Sequence, residues 1–229
     1  MKKNFYDQIA TDFSESRKNF WNEFYLFEKY LSKKIKVLDI GCGNGRLYSF
    51  LQEKINKYIG IDVSQKLIDI AQNKYPKVCF KKMDMVNLKT LSTKKFDIIF
   101  FIASFHHLSS EAERITVLKQ AKNLLSEQGI ICMTNWNLFQ KKYKKHIWKA
   151  IFKSLFSSYK WNDVFIPFTG KNSKILRYYH AFTPKELENL FKNVDLQIQE
   201  KTFFNKNKSE KNWRNCRNFC YVLKNSNTI

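Results

Sequence analysis

The stretch Val37-Leu38-Asp39-Ile40-Gly41-Cys42-Gly43-Asn44-Gly45-Arg46 is an apolar strand running into closely spaced glycines and then into a helical pattern. Without β-carbons, the glycines permit a tight strand-to-helix turn and let a ligand approach the backbone beside a helix N-terminus. The spacing fails the dinucleotide fingerprint. Counted from Gly41, Gly-x-Gly-x-x-Gly meets Arg46 where glycine is needed, and counted from Gly43 it meets Tyr48. A nicotinamide or flavin enzyme is therefore disfavoured. An acidic residue, Asp39, precedes the loop, and a second, Asp62, ends the next apolar run, placed to accept hydrogen bonds from ribose hydroxyls.

Outward from this loop, short Ile, Val and Phe runs alternate with longer helical patterns, which predicts β-α-β units on a mainly parallel sheet. Seven strands are expected, over Lys36–Ile40, Lys57–Ile61, Val78–Met83, Phe96–Ile102, Ile130–Asn135, Leu196–Phe203 and Phe219–Leu223. Helices are expected after Gly45, after a Ser64 cap, and after Ser110 with Glu113 three residues later, a capping box. Thr183-Pro184-Lys185-Glu186 starts another by cap and N1 proline. Leu138–Ser158 is expected to be a basic amphipathic helix whose apolar face packs on the domain. Residues 161–180 are expected to form a loop insertion. Seven strands fit one domain spanning 1–229, with 1–35 as an N-terminal helical segment and 136–182 as basic helix plus insertion on the substrate side.

The 229 residues carry 41 Lys and Arg against 20 Asp and Glu, a net charge of +21, while 44% apolar content excludes a disordered basic tail. Residues 141–229 hold 19 basic and 6 acidic side chains, so more than half of the excess follows the fifth strand. Such charge favours a polyanionic partner. The longest apolar run, Phe96 to Phe105, contains Asp97 and falls far short of the roughly 20 residues of a membrane span. A cytoplasmic protein without a membrane partner is expected. Cys42, Cys79, Cys132, Cys216 and Cys220 are scattered and odd in number, so buried thiols are expected and no metal site.

The third strand ends at Asp84-Met85 and the fourth runs into Ala103-Ser104-Phe105-His106-His107-Leu108. In a parallel α/β sheet these ends share the carboxyl edge, where ligands bind. The ordered series Asp39, Gly41–Gly45, Asp62, Asp84, His106 resembles the class I methyltransferases, which use S-adenosyl-L-methionine. The resemblance implies a Rossmann-like, seven-stranded sheet with helices on both faces. It implies further that Gly41, Cys42, Gly43 and Gly45 flank the methionine part, with Asp39 positioning the loop and the ligand's amino group. Asp62 and Val63 would hold the ribose, Asp84 and Met85 the adenine, and Ala103 and Ser104 the methionine side.

Three further segments are Tyr6-Asp7-Gln8-Ile9-Ala10-Thr11-Asp12-Phe13-Ser14-Glu15-Ser16-Arg17, Asp163-Val164-Phe165-Ile166-Pro167-Phe168 followed by Arg177-Tyr178-Tyr179-His180, and Asn218-Phe219-Cys220-Tyr221-Val222-Leu223. They resemble the eukaryotic wobble-uridine tRNA methyltransferases that convert 5-carboxymethyluridine to its methyl ester. That family implies tRNA as partner, rather than DNA, and a small zinc-containing activator subunit pairing with the third strand. A carboxylate acceptor is ionised at neutral pH and needs positioning rather than a general base. Arg177 and His180 are the first candidates for that work, followed by Arg17 and His106. Two alternatives stay open at this point: a small-molecule, quinone-type methyltransferase, and a catalytically silent RNA-binding protein with the same fold.

Overall fold

A computed structural model describes residues 5–17, 19–91, 95–170 and 174–226. The chain opens with α1 (Phe5–Glu15) and a 3-10 segment, Asn22–Tyr30, and then enters β1 (Lys36–Ile40), α2 (Arg46–Leu51), β2 (Lys57–Asp62), α3 (Gln65–Lys74), β3 (Cys79–Lys82) and β4 (Phe96–Ile102). After β4 come α4 (Glu111–Leu124), β5 (Leu125–Trp136), α5 (Lys144–Ser154), β6 (Asp163–Thr169), β7 (Lys174–His180), α6 (Pro184–Lys192), β8 (Leu196–Asn205), β9 (Lys208–Ser209) and β10 (Asn218–Asn225).

The sheet order is β3-β2-β1-β4-β5-β10-β8-β9. The pairs from β3 to β5 are parallel, whereas β10 runs antiparallel to both β5 and β8. All seven expected strands are present; the two-residue β9 makes an eighth. Side-chain alternation along β4 explains the layering. Ile98, Phe100 and Ile102 join a cluster with Leu47 and Phe50 of α2 and Ile68 of α3, while Ile99 and Phe101 join Val117 and Leu118 of α4 and Phe191 of α6. Helices therefore cover both faces, and a strand buried on both sides reads as one continuous apolar run.

The helix starts follow their capping residues. Ser64 accepts from Leu67 N, Ser110 and Glu113 complete a reciprocal box, and Thr183 accepts from Glu186 N ahead of Pro184.

Residues 161–180 are not a loop. β6 and β7 pair antiparallel from Asp163↔His180 to Thr169↔Lys174, a two-stranded ribbon apart from the main sheet. Pro167 is tolerated because a two-stranded ribbon has free edges. With α5 the ribbon buries its own cluster, including Leu138, Ile147, Val164, Ile166 and Tyr179. The helix expected over Leu138–Ser158 is shorter than its pattern. Ile147 and Ala150 pack inward, but Trp148, Phe152, Leu155 and Phe156 are exposed. Cys79 is exposed as well; the other four thiols are buried and all five are free. No helix among the described residues is long and apolar enough to cross a membrane.

Candidate active site

The ends of β1, β2, β3 and β4 meet at one edge, and the glycine loop lies across them. Gly41, Gly43 and Gly45 all have positive φ, at +81°, +55° and +73°. A β-carbon on Gly41 would sit 2.4 Å from that of Ser104. This close approach is fixed from the other side, because Ser104 Oγ donates to the Ile40 carbonyl at 2.5 Å. Asp62 ties the loop to β2: one carboxylate oxygen accepts from Gly43 N at 2.9 Å and the other from Ser64 N at 2.9 Å. Ala103, with φ +50°, turns the chain out of β4 and donates its N–H to Thr134. A left-handed alanine costs roughly 1–2 kcal/mol, and the doubly accepted N–H helps to hold it.

The N-terminal helix roofs this edge. Asp7 accepts from Ser64 Oγ at 2.5 Å and from Lys66 N at 3.1 Å, which places a carboxylate at the start of α3. Asn44 of the glycine loop donates to Ser14 Oγ at 2.9 Å. Tyr6 meets Nε2 of His107 at 2.8 Å, while Nδ1 of the same ring lies 2.9 Å from the Tyr178 carbonyl. A carbonyl only accepts, so Nδ1 carries the proton and the Tyr6 hydroxyl donates to Nε2.

Between roof and sheet edge lies a pocket of about 1150 Å³, counting its open mouth. Asp39, Gly41, Cys42, Gly43, Asp62 and Val63 line one part of it, and Asp84, Met85, Ala103 and Ser104 continue the wall. Arg17, His106 and Arg177 line it as well, so the segment after α1, the turn after β4 and β7 converge on the pocket. Asp84 Oδ1 also accepts from Val86 N, capping the turn after β3.

Two expected site residues lie elsewhere. Gly45 is at the head of α2, where a β-carbon would meet Phe80, Ala71 and Tyr75 at 3.1–3.3 Å, so it is required by packing. His180 is buried away from the pocket with its two ring nitrogens facing Asp163 at 3.3 Å and Glu186 at 2.6 Å, and it ties the ribbon to α6.

Residues 37–129 match the family description "Methyltransferase domain". The tRNA (carboxymethyluridine(34)-5-O)-methyltransferase of Schizosaccharomyces pombe is 29% identical over 218 residues, covering 85% of this chain and 88% of that one. A putative methyltransferase of Encephalitozoon cuniculi is 27% identical, covering 87% and 91% of the two chains. Among solved structures, a S-adenosylmethionine-dependent methyltransferase from Clostridium acetobutylicum superposes with a TM-score of 0.69 at 17% identity, over 90% of both chains. The CcbJ methyltransferase from Streptomyces caelestis gives 0.73 at 17% identity, over 99% and 100%. Residues 37–129 thus carry a methyltransferase domain, and the fold is that of the S-adenosylmethionine-dependent methyltransferases.

Carboxylates and guanidinium groups share the walls of the pocket. At the β1 end Asp39, 1% exposed, is raised to about 7 by burial, despite the 2.6 Å hydrogen bond that Tyr58 donates to one oxygen. Its other oxygen is buried without a hydrogen-bond partner. A cationic ammonium beside it would restore the charged form, so this wall fits the cofactor. Three guanidinium groups, those of Arg17, Arg46 and Arg177, line the same pocket, and Arg46 and Asp39 act on each other. Arg17 is lowered by burial and then by Arg177, and Arg46 is lowered to about 9 by burial and then by Arg17.

His106 and His107 line the pocket too, and burial lowers the pKa of both, His107 to about 4. Tyr6, Arg46, Trp21, Trp136 and Tyr179 also line the pocket. Arg46 stacks over Trp21 at 3.7 Å from the ring centroid. Its place directly after the glycine loop was a usable signal in the sequence; Trp21 and Trp136 are brought in by folding alone.

Proposed function

We propose that the protein methyl-esterifies the carboxylate of 5-carboxymethyluridine at the wobble position of tRNA. The observation that carries this reading is the convergence of Arg17, Arg46 and Arg177 on one pocket, where Arg177 acts on Arg17 and Arg17 on Arg46. Buried like charges raise each other's free energy, and an incoming carboxylate relieves that repulsion while gaining directed hydrogen bonds. The relatives named for carboxymethyluridine point the same way.

On this reading Asp39 and the Gly41–Gly43 loop hold the amino-acid part of S-adenosylmethionine, Asp62 and Val63 the ribose, and Asp84 and Met85 the adenine. The bound cofactor supplies an electrophilic methyl group on a sulfonium. Because the acceptor carboxylate is already ionised, no side chain has to remove a proton. His106 and His107, kept neutral by burial, suit that requirement and add no positive charge beside a sulfonium. The arginines then orient the acceptor oxygen, and orientation supplies most of the rate.

β3 lies at the edge of the sheet. An edge strand offers unpaired backbone groups to a partner, which suits the small zinc-containing activator subunit implied by the family resemblance.

The test is to incubate the protein with S-adenosylmethionine and tRNA bearing 5-carboxymethyluridine, digest the RNA and identify its nucleosides by mass spectrometry. The methyl ester at the wobble uridine is expected. Its absence, with cofactor binding intact and an activator from a relative supplied, overturns the reading.

A further inference from the structure

A second groove opens beside the pocket and shares three residues with it, Arg17, Trp21 and Trp136. It holds about 1330 Å³ of space open to solvent. One wall comes from the segment around Asn22 and Glu23. The opposite wall comes from the turn between β8 and β9, with Lys206 and Asn207, and from Arg217 at the entry to β10. An amide hydrogen bond from Asn22 to Asn207 joins the two walls. Lys142 and Tyr143 close the third side.

Three kinds of group line this groove, each with its own use. Arg17, Lys142, Lys206 and Arg217 are cationic, against a single lining carboxyl, Glu23. Glu23 is buried, accepts a 2.6 Å hydrogen bond from Asn218, and is shifted by burial toward its neutral form, so it opposes an anion weakly. Phe20, Trp21, Trp136 and Tyr143 offer aromatic faces or edges, and Gln140 and Asn207 offer amide groups. A small acidic metabolite would use the cations and leave the aromatics idle, and a lipid surface fits a convex apolar face better than a concave polar one. Phosphates, stackable bases and hydrogen-bonding base edges occur together in single-stranded nucleic acid.

We propose that this groove binds the single-stranded RNA immediately flanking the nucleotide that enters the methyl-transfer pocket. Lys142, Lys206 and Arg217 hold its phosphates, and the aromatic groups stack its bases. This deepens the tRNA reading above, and it gives Lys206, Asn207 and Arg217 of the 205–217 stretch a place in the strand-holding wall. Arg17 stands on the boundary between the two cavities, where a flipped nucleotide would pass from one to the other.

The experiment compares the wild-type protein with a Lys142→Ala/Lys206→Ala/Arg217→Ala variant, using a fluorescein-labelled RNA hairpin with an anticodon-type loop. The three side chains are exposed, and Arg217 keeps its backbone hydrogen bonds to Phe204 and Asn137. A control variant removes three exposed lysines that line neither cavity, Lys119 of α4 and Lys185 and Lys192 of α6. The groove variant is expected to bind RNA roughly tenfold more weakly at moderate salt, with its log-log salt slope reduced by about 2. Affinity for S-adenosylmethionine should match the wild type. Unchanged RNA affinity and slope in the groove variant, an equal loss in the control, or no RNA binding by the wild type overturns the proposal. Methyl transfer is scored separately: groove-dependent binding without methyl-ester formation removes the carboxymethyluridine reading and leaves the groove assignment standing.

Discussion

The hydroxyl of Tyr6 donates to Nε2 of His107 across 2.8 Å, joining the N-terminal helix to the turn that follows β4. Nδ1 of the same ring donates to the Tyr178 carbonyl of β7 at 2.9 Å. This tyrosine and histidine together therefore link the roof of the pocket, the carboxyl edge of the sheet and the β6–β7 ribbon. A neutral hydrogen bond of this kind contributes about 1 kcal/mol net. Tyr6→Phe is expected to lower the melting temperature of the ligand-free protein by about 2–4 °C and to weaken S-adenosylmethionine binding by loosening the roof. Isothermal titration calorimetry and a thermal melt check the pair.

Asp39 sets a pH dependence whose sign differs between stability and binding. Its folded pKa of about 7 lies above the ordinary carboxylate value. The associated stability is therefore fully present below about pH 4 and is lost as pH rises through about 7. Cofactor binding, which favours the ionised carboxylate, should strengthen over the upper part of that window. Asp39→Asn is expected to melt above the wild type at pH 8 when ligand-free, to lose that advantage toward pH 4, and to bind S-adenosylmethionine at least tenfold more weakly. An unchanged pH profile of cofactor affinity in the variant would remove Asp39 from the cofactor site.

Gly41 and Gly43 should respond differently to alanine. At 41 the new β-carbon would meet Ser104 at 2.4 Å on a left-handed backbone. Gly41→Ala should cost about 3 kcal/mol or more through strain and overlap. At 43 the nearest atom is a ring carbon of Phe13 at 3.8 Å. Gly43→Ala should cost roughly 1 kcal/mol of backbone strain while narrowing the pocket. Urea unfolding of both variants gives the comparison.

Arg177 and His180 stand three residues apart in β7 and should separate cleanly. Arg177→Lys keeps the charge and loses the planar fork, so tRNA methylation is expected to fall by about 100-fold with cofactor affinity nearly unchanged. His180→Ala strips a buried partner from Asp163 and Glu186 and should destabilise the fold by about 2–3 kcal/mol. Methylation per folded molecule should remain, as measured by activity normalised to native protein below its melting point.

Much of the fold was legible because β1, β2 and β4 are apolar strands and because Ser64, Ser110 and Thr183 cap their helices in short recognisable patterns. The β6–β7 ribbon was not legible, since the last four residues of β7, Arg177 to His180, are all buried and give no alternation, and Pro167 interrupts β6. In the pocket, the glycine loop and the strand-end carboxylates follow from local order along the chain. His180 misled because histidine beside Arg177 on a strand suggests chemistry, whereas its neighbours Asp163 and Glu186 become visible only in three dimensions. Arg46 escaped because a residue right after a glycine loop reads as the start of a helix. Folding turns its side chain back over Trp21 and toward Arg17.

The placement of β10 between β5 and β8 bears on how the molecule comes into being during synthesis. The glycine loop and the ends of β1 to β4 leave the ribosome early, while Arg177 and Tyr179 follow late, and the sheet is completed only when residues 218–225 slot between two strands already made. A nascent chain ending before β7 carries the carboxylates of the pocket without its full set of guanidinium groups. Such a fragment lacks Arg177, so on the reading proposed above the pocket gains its acceptor-binding arginines in full only once β7 has been made.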